Sequence, residues 1–406
     1  MPLRIFAAAI YSKHKLQQRV TGGPNPLRRS VEKGDRRCGR CQSEATALLT
    51  LSFRPCPSDA AAYSISYLVA GTCGNRWRAD ATLQLASKAG SGSLNPRLLL
   101  PNKLVGHIGG NVASKEMQDV IDSISDFPLD VEGQRKHYER VWKQVPVDPD
   151  IKAGSIDVGG IGAGNSEWVW TEGARDDKVF FYYHGGGYVC GEPWMWRQFN
   201  GRLSRASGMR CLAFGYRLAP EHPFPTAIED CVEAYLWLLK SGTSPKRIVL
   251  VGDSAGGALV LSVMMALRDR GEPLPAAGVP MSPWTDLELK GETMTPSTGD
   301  PLTTEESARS MAERFLGGKD PRHPWASALY GDLKSLPPLH IEAGERDVLY
   351  SDSTRLVQIL RDSGNEVNFF SVPGAIHSFP ALAGPTPEAA TAIERMAAFM
   401  RRQTSD

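Results

Sequence analysis

The chain has 406 residues, 41% hydrophobic and 22% charged, which is ordinary globular usage and excludes a disordered, collagen-like or coiled-coil protein. No stretch approaches the ~18–20 consecutive apolar residues of a membrane helix, so no stable membrane insertion is expected. A net charge of +1 gives no overall pull toward nucleic acid or anionic lipid.

The charge is unevenly placed. Residues 1–110 carry 16 Lys and Arg against 5 Asp and Glu, whereas the remainder carries 30 against 40. Such asymmetry marks the first part of the chain as a separate object. Residues 1–95 have weak periodicity, an Arg-rich run at 28–40 and Gly-Gly-Pro-Asn-Pro at 22–26. They are expected to form a basic, poorly ordered, non-catalytic extension. The apolar run from Ile5 to Ile10 is shorter than a secretory core, although an Arg-rich, acid-poor start also fits a transit peptide. Cys38-Gly-Arg-Cys41 has no second ligand pair at zinc spacing, so no metal is expected. Seven cysteines without regular spacing fit free thiols in a reducing, cytoplasmic compartment.

A helical segment is expected over 96–150. Met117, Val120, Ile121 and Ile124 recur at helical spacing behind Ser114, a candidate N-cap. A second helix spans Val131–Val145 and stops at Pro146. From 151 onward strands and helices alternate. Strands are expected at Ser155–Val158, Trp168–Thr171, Val179–Tyr183, Cys211–Gly215, Arg247–Gly252, Gly278–Met281, Leu339–Ala343 and Val367–Val372. Helices are expected at Ala227–Lys240, Ala255–Arg270, Ser353–Ser363 and Ala389–Arg402. That alternation implies an α/β fold with a largely parallel sheet covered on both faces, formed by residues 151–406.

Three elements carry chemistry. Gly252-Asp-Ser-Ala-Gly256 lies between an apolar strand and an apolar helix. A serine on that sharp turn stands clear of the backbone, beside the free N–H groups and positive dipole of a helix N-terminus. The loop His184-Gly-Gly-Gly-Tyr188 directly follows a strand, 70 residues before Ser254. Its N–H groups at Gly185 and Gly186, with that of Ala255, suit an oxyanion hole for acyl transfer. Of the histidines after Ser254, His340 sits inside an apolar strand and His323 in a polar loop. His377 follows the last strand and is the candidate base. Asp347, in the loop after Leu339–Ala343, is the candidate acid, with Asp352 in reserve and Glu345 a surface charge. Trp194 and Trp196, just past the oxyanion loop, line an acyl pocket or else pack the core. Tyr188 is a further candidate for the substrate pocket.

These motifs, with Tyr216-Arg-Leu-Ala-Pro-Glu-His-Pro-Phe-Pro225, Ser282-Pro-Trp-Thr-Asp286 and His377-Ser-Phe379, make residues from about 110 to 402 resemble the hormone-sensitive-lipase-like (family IV) esterases of the α/β-hydrolase superfamily. One departure is Asp347-Val-Leu-Tyr-Ser-Asp352, where the family often has Asp-Pro-Leu at the acid. The resemblance implies an eight-stranded, mostly parallel sheet flanked by helices, with an N-terminal helical cap. It implies hydrolysis of short- to medium-chain carboxylic esters by Ser254, His377 and Asp347, without metal or organic cofactor. The implied partner is a small ester, and the implied assembly a homodimer. In the family, the segment containing Glu221 is scaffold. A hydrolase-fold receptor that has lost its triad is the alternative from another class, and the presence of His377 argues against it. Amides and lactones remain open as substrates, because the same triad serves them.

Overall fold

The computed structural model describes residues 48–56, 59–70, 76–84, 113–124, 127–382 and 384–405. The chain divides into two compact units, one covering Gly22–Ile108 and the other including Gly109–Asp406. In the first, β1 (Leu48–Cys56), β2 (Asp59–Ala70) and β3 (Arg76–Gln84) form an antiparallel sheet in that order. The alternation of Tyr63, Ile65 and Tyr67 with Ser64 and Ser66 is a period-2 strand signal that weak overall periodicity hides. The Cys38–Cys41 pair lies outside the described residues.

The second unit opens with α1 (Lys115–Ile121) and α2 (Val131–Trp142), followed by β4 (Lys152–Ser155), β5 (Glu167–Trp170) and β6 (Arg175–Tyr183). Then come α3 (Arg197–Ser207), β7 (Met209–Phe214), α4 (Thr226–Lys240), β8 (Ile248–Asp253), α5 (Ala255–Asp269) and β9 (Ala277–Met281). The chain ends with α6 (Glu305–Leu316), β10 (Leu339–Arg346), α7 (Tyr350–Asp362), β11 (Val367–Ile376), the short α8 (Phe379–Leu382) and α9 (Pro387–Gln403). The sheet order is β11-β10-β9-β8-β6-β7-β5-β4. Strands β11 through β7 pair in parallel, while β5 and β4 join antiparallel at the edge.

All eight expected strands are present, the first displaced to Lys152–Ser155. Ser114 caps α1 as its sequence suggests, accepting from the Met117 N–H at 3.0 Å. Besides the short α8, two helices escape the sequence pattern. In α3 only Phe199 and Leu203 supply large buried apolar side chains among arginines and serines. In α6 the signal is present: Thr304 and Ser307 form a capping box, and Ala308, Met311, Ala312 and Phe315 repeat on one face.

Strand β8 is buried along its whole length, as expected for a central parallel strand covered on both faces. Helices α4 and α5 pack on one side, α3 and α9 on the other. A buried polar cluster ties α9 to the sheet. Arg395 grips Glu342 through Nε and Nη2 at 3.0 and 2.8 Å, and His340 Nε2 lies 2.8 Å from the same carboxylate. This accounts for His340 as a structural residue. Among the described residues no helix is long and apolar enough to cross a membrane.

Removing one partner of a buried ion pair strands the other charge, at a cost of about 3–5 kcal/mol. Arg395→Met should therefore lower unfolding free energy by roughly 3 kcal/mol in urea titrations. Glu342→Gln with Arg395→Met should recover part of that loss; equal stability of wild type and single variant would refute the role given to this pair.

Candidate active site

Parallel pairing brings distant segments to one edge of the sheet. Register places Tyr183 opposite Gly252, and Gly252 opposite Pro280. The strands therefore end together, and the loops beyond Tyr183, Asp253, Met281, Arg346 and Ile376 emerge at the carboxyl edge. Open α/β sheets bind their ligands there.

Ser254 occupies the turn from β8 into α5 with φ 55° and ψ −119°, a conformation rare for a non-glycine residue. Glycines create the room for it. A Cβ on Gly256 would overlap the Tyr183 carbonyl, and one on Gly252 would overlap the Gly256 carbonyl. The Ser254 N–H donates to the Met281 carbonyl at 2.9 Å, fixing the turn against β9. The N–H of Ala255 opens α5, where first-turn groups have no intrahelical acceptor.

His377 and Asp347 meet as expected. His377 Nδ1 lies 3.0 Å from both carboxylate oxygens of the fully buried Asp347. The Leu349 N–H donates to Asp347 Oδ1 at 2.7 Å and holds the carboxylate in place. Burial disfavours a charged His377 ring. The Asp347 charge and hydrogen bond outweigh that, aided by Asp300 and Asp253, and the pKa is pushed up to about 9. The far ring nitrogen, Nε2, sits 3.4 Å from Ser378 Oγ.

The other titratable candidates fall elsewhere. Asp352 accepts the N–H groups of Thr285 and Asp286 at 2.8 and 2.9 Å, so it holds the Trp284 loop. Burial pushes its pKa up to about 8. Glu345 accepts the Ser371 hydroxyl at the surface, and His323 Nδ1 accepts the Trp325 N–H.

The glycine loop differs in one position from the sequence expectation. The Gly185 N–H donates to Asp253 Oδ1 at 2.9 Å, so it is committed inside the protein. Gly186 and Gly187 line the cavity with Ser254. Asp253, the residue before the serine, also accepts the Tyr182 hydroxyl. Burial raises its pKa to about 6. His184 stacks between Tyr216 and Trp196 at centroid distances of 4.3 and 5.3 Å. Burial holds it down to about 4, so it stays neutral and braces the loop.

The aromatic pocket residues require a larger correction. Trp196 is fully buried against His184 and Trp142, the latter at 4.7 Å. Tyr188 is stacked on Phe315 at 3.7 Å. Trp194 is half-buried, with its indole N–H on Glu192. None of the three lines the cavity beside Ser254. That cavity, about 150 Å³, is walled instead by Trp284, Tyr138, Trp142, Phe127 and Met311, and is shared by Ser254 and His377. Its cover therefore comes from α1, α2 and, unforeseen, α6. Arg135 of α2 clamps the cover to the glycine loop. It donates to the Val189 and Ala219 carbonyls at 2.9 and 3.0 Å and to both Glu221 oxygens at 2.8 and 2.7 Å. That pairing pulls the Glu221 pKa down to about 2. Glu221 is thus scaffold, as the sequence implies.

A family model described as an α/β hydrolase fold matches residues 180–381. An acetyl-hydrolase of Streptomyces hygroscopicus is 42% identical over 251 residues, covering 62% of this chain and 84% of the relative. The crystal structure of an esterase from the bacterial hormone-sensitive lipase family superposes with TM-score 0.69 at 42% identity, over 72% of this chain and 99% of that one. Esterase EstE5, from a crystal soaked with p-nitrophenyl butyrate, gives 0.67 at 38% identity, over 72% and 100%.

Hydrogen bonds to a charged group contribute about 1.5–3 kcal/mol, roughly 10-fold or more in an equilibrium. Arg135→Met should loosen the cover and raise KM for p-nitrophenyl butyrate about 10-fold, with a smaller change in kcat. Unchanged KM and thermal stability would show that the clamp does not govern the cavity.

Proposed function

The chain belongs to the hormone-sensitive-lipase family of α/β-hydrolase-fold esterases and is a carboxylic ester hydrolase, and from that premise we propose that Ser254, His377 and Asp347 are its triad. The observation that carries this is the meeting of Asp347 and His377 at 3.0 Å beside a cavity that His377 shares with the strained Ser254.

Ser254 Oγ attacks the ester carbonyl carbon while His377 Nε2 takes its proton. The carbonyl oxygen becomes an oxyanion held by the N–H groups of Gly186, Gly187 and Ala255. Collapse breaks the bond to the alcohol oxygen, and His377 returns the proton to that leaving group. Water, deprotonated by the same ring, then releases the carboxylic acid and restores Ser254. Asp347 orients the ring and stabilises its charged form.

The cavity supports a short-chain substrate class. A cavity of about 150 Å³ has room for a molecule the size of benzene, so short acyl chains fit. Each buried methylene adds about 0.8 kcal/mol until the walls are reached, after which overpacking costs ~1–3 kcal/mol. For p-nitrophenyl esters, kcat/KM should rise from acetate to about hexanoate and then fall steeply. Trp284→Ala should move the optimum to longer chains, while Trp194→Ala leaves it in place. A flat profile from acetate to palmitate would contradict the closed pocket.

Two further outcomes test the chemistry. Ser254→Ala should lose at least about 10⁴-fold in kcat with the fold intact by circular dichroism. The base must be neutral to act, and its pKa is raised in the folded protein. Activity is therefore lost as pH falls, and the acidic limb of kcat/KM should have a midpoint well above the ordinary histidine value of about 6.5.

A further inference from the structure

Asp300 is a second carboxylate beside His377, in a segment that carries none of the motifs above. It lies between β9 and α6, just before Leu302 and Thr303, which line the cavity. Its carboxylate, that of Asp347 and a ring nitrogen of His377 all lie within 4.8 Å of one another. Three backbone donors fix it: Leu302 N–H at 2.8 Å and Thr303 N–H at 3.3 Å on Oδ1, and Val348 N–H at 3.1 Å on Oδ2. The neighbouring Gly299 carbonyl accepts Arg346 Nε at 2.6 Å. The Asp300 segment is thus bonded to both flanks of Asp347 while forming part of the cavity wall.

We propose that Asp300 is a positioning residue for ester hydrolysis, a second negative charge that supports the His377 imidazolium and locks the Asp347 loop to the substrate cavity. This rests on the triad assigned above.

The electrostatics give the proposal a distinctive sign. His377 is faced by Asp347 from the loop after β10, Asp300 from the segment before α6, and Asp253 from the end of β8. The hydroxyl of Ser378 lies on its other nitrogen, and His137 of α2 lines the same cavity. Burial and the Asp347 charge raise the Asp300 pKa to about 6, so Asp300 is ionised where the enzyme works at neutral and alkaline pH. An ionised Asp300 favours the charged ring. It therefore costs activity at low pH, where the ring must first lose its proton. It adds activity at high pH, where the transition state contains an imidazolium that the second carboxylate stabilises.

Asp300→Asn keeps an oxygen acceptor for Leu302 and Thr303, and removes the charge together with the acceptor for the Val348 N–H. In full pH profiles with p-nitrophenyl butyrate, the acidic limb of kcat/KM should move down by about one pH unit, as expected for loss of one charge at this distance. The plateau kcat should fall about 5–50-fold, below the loss for removing the primary acid. KM should change little. A purely structural role would lower thermal stability and plateau rate without moving the limb, and that result overturns the proposal. So does a profile identical to wild type. Asp347→Asn and Ser254→Ala serve as controls: if they too are fully active, the triad itself has failed. If instead both are inactive while Asp300→Asn matches wild type, only the role of Asp300 is lost. Should Asp300→Asn not fold, Asp300→Ser retains a hydroxyl acceptor and is read by the same limb.

Discussion

The site depends on a single steric fact: α5 starts so close to β6 and β8 that only glycine fits at Gly252 and Gly256. That closeness forces the intervening Ser254 into the left-handed region at φ 55°, a strain of order 1–3 kcal/mol. In return, the serine is held at the carboxyl edge of the central strand, at the head of a helix whose buried face is apolar apart from Ser262. The parallel register then delivers the glycine loop from β6 and the Trp284 loop from β9 to the same edge. The geometry of Ser254 is therefore a property of the sheet core and not of the cavity.

Around that point three carboxylates and two histidines divide the electrostatic work. His184 is buried without a counter-charge and stays neutral, held between aromatic rings. His377 is equally buried but is surrounded by Asp347, Asp300 and Asp253, so its charged form is favoured. The same residue type thus takes opposite protonation preferences within one site. Asp253 has a second duty, since its bond to the Gly185 N–H ties the glycine loop to the end of β8.

Much of this is legible in the chain. Ser254, the glycine loop, Asp347 and His377 each follow a recognisable strand, and a parallel sheet gathers strand ends whatever their separation in sequence. What escapes the sequence arises from contacts between segments with no shared pattern. Gly185 looks like an oxyanion donor until Asp253 is seen to occupy its N–H. Trp194 and Trp196 follow the loop closely, yet the chain turns so that Trp196 packs behind it and Trp284, 30 residues beyond the serine, forms the wall. Arg135 and Asp300 act across distances that spacing does not encode, and α6 joins the cover although its capping box was present to be read.

The central claim is that the strained serine, and no neighbouring hydroxyl, is the nucleophile activated by His377. Ser378 is the natural rival, because its Oγ lies 3.4 Å from His377 Nε2. Reaction with a p-nitrophenyl alkylphosphonate, followed by intact mass and peptide mapping, separates the two. The structure predicts one phosphonyl group per chain, on Ser254, with its rate of attachment reduced about 10²–10⁴-fold by His377→Ala. Labelling on Ser378, or labelling of Ser254→Ala at the wild-type rate, would contradict it.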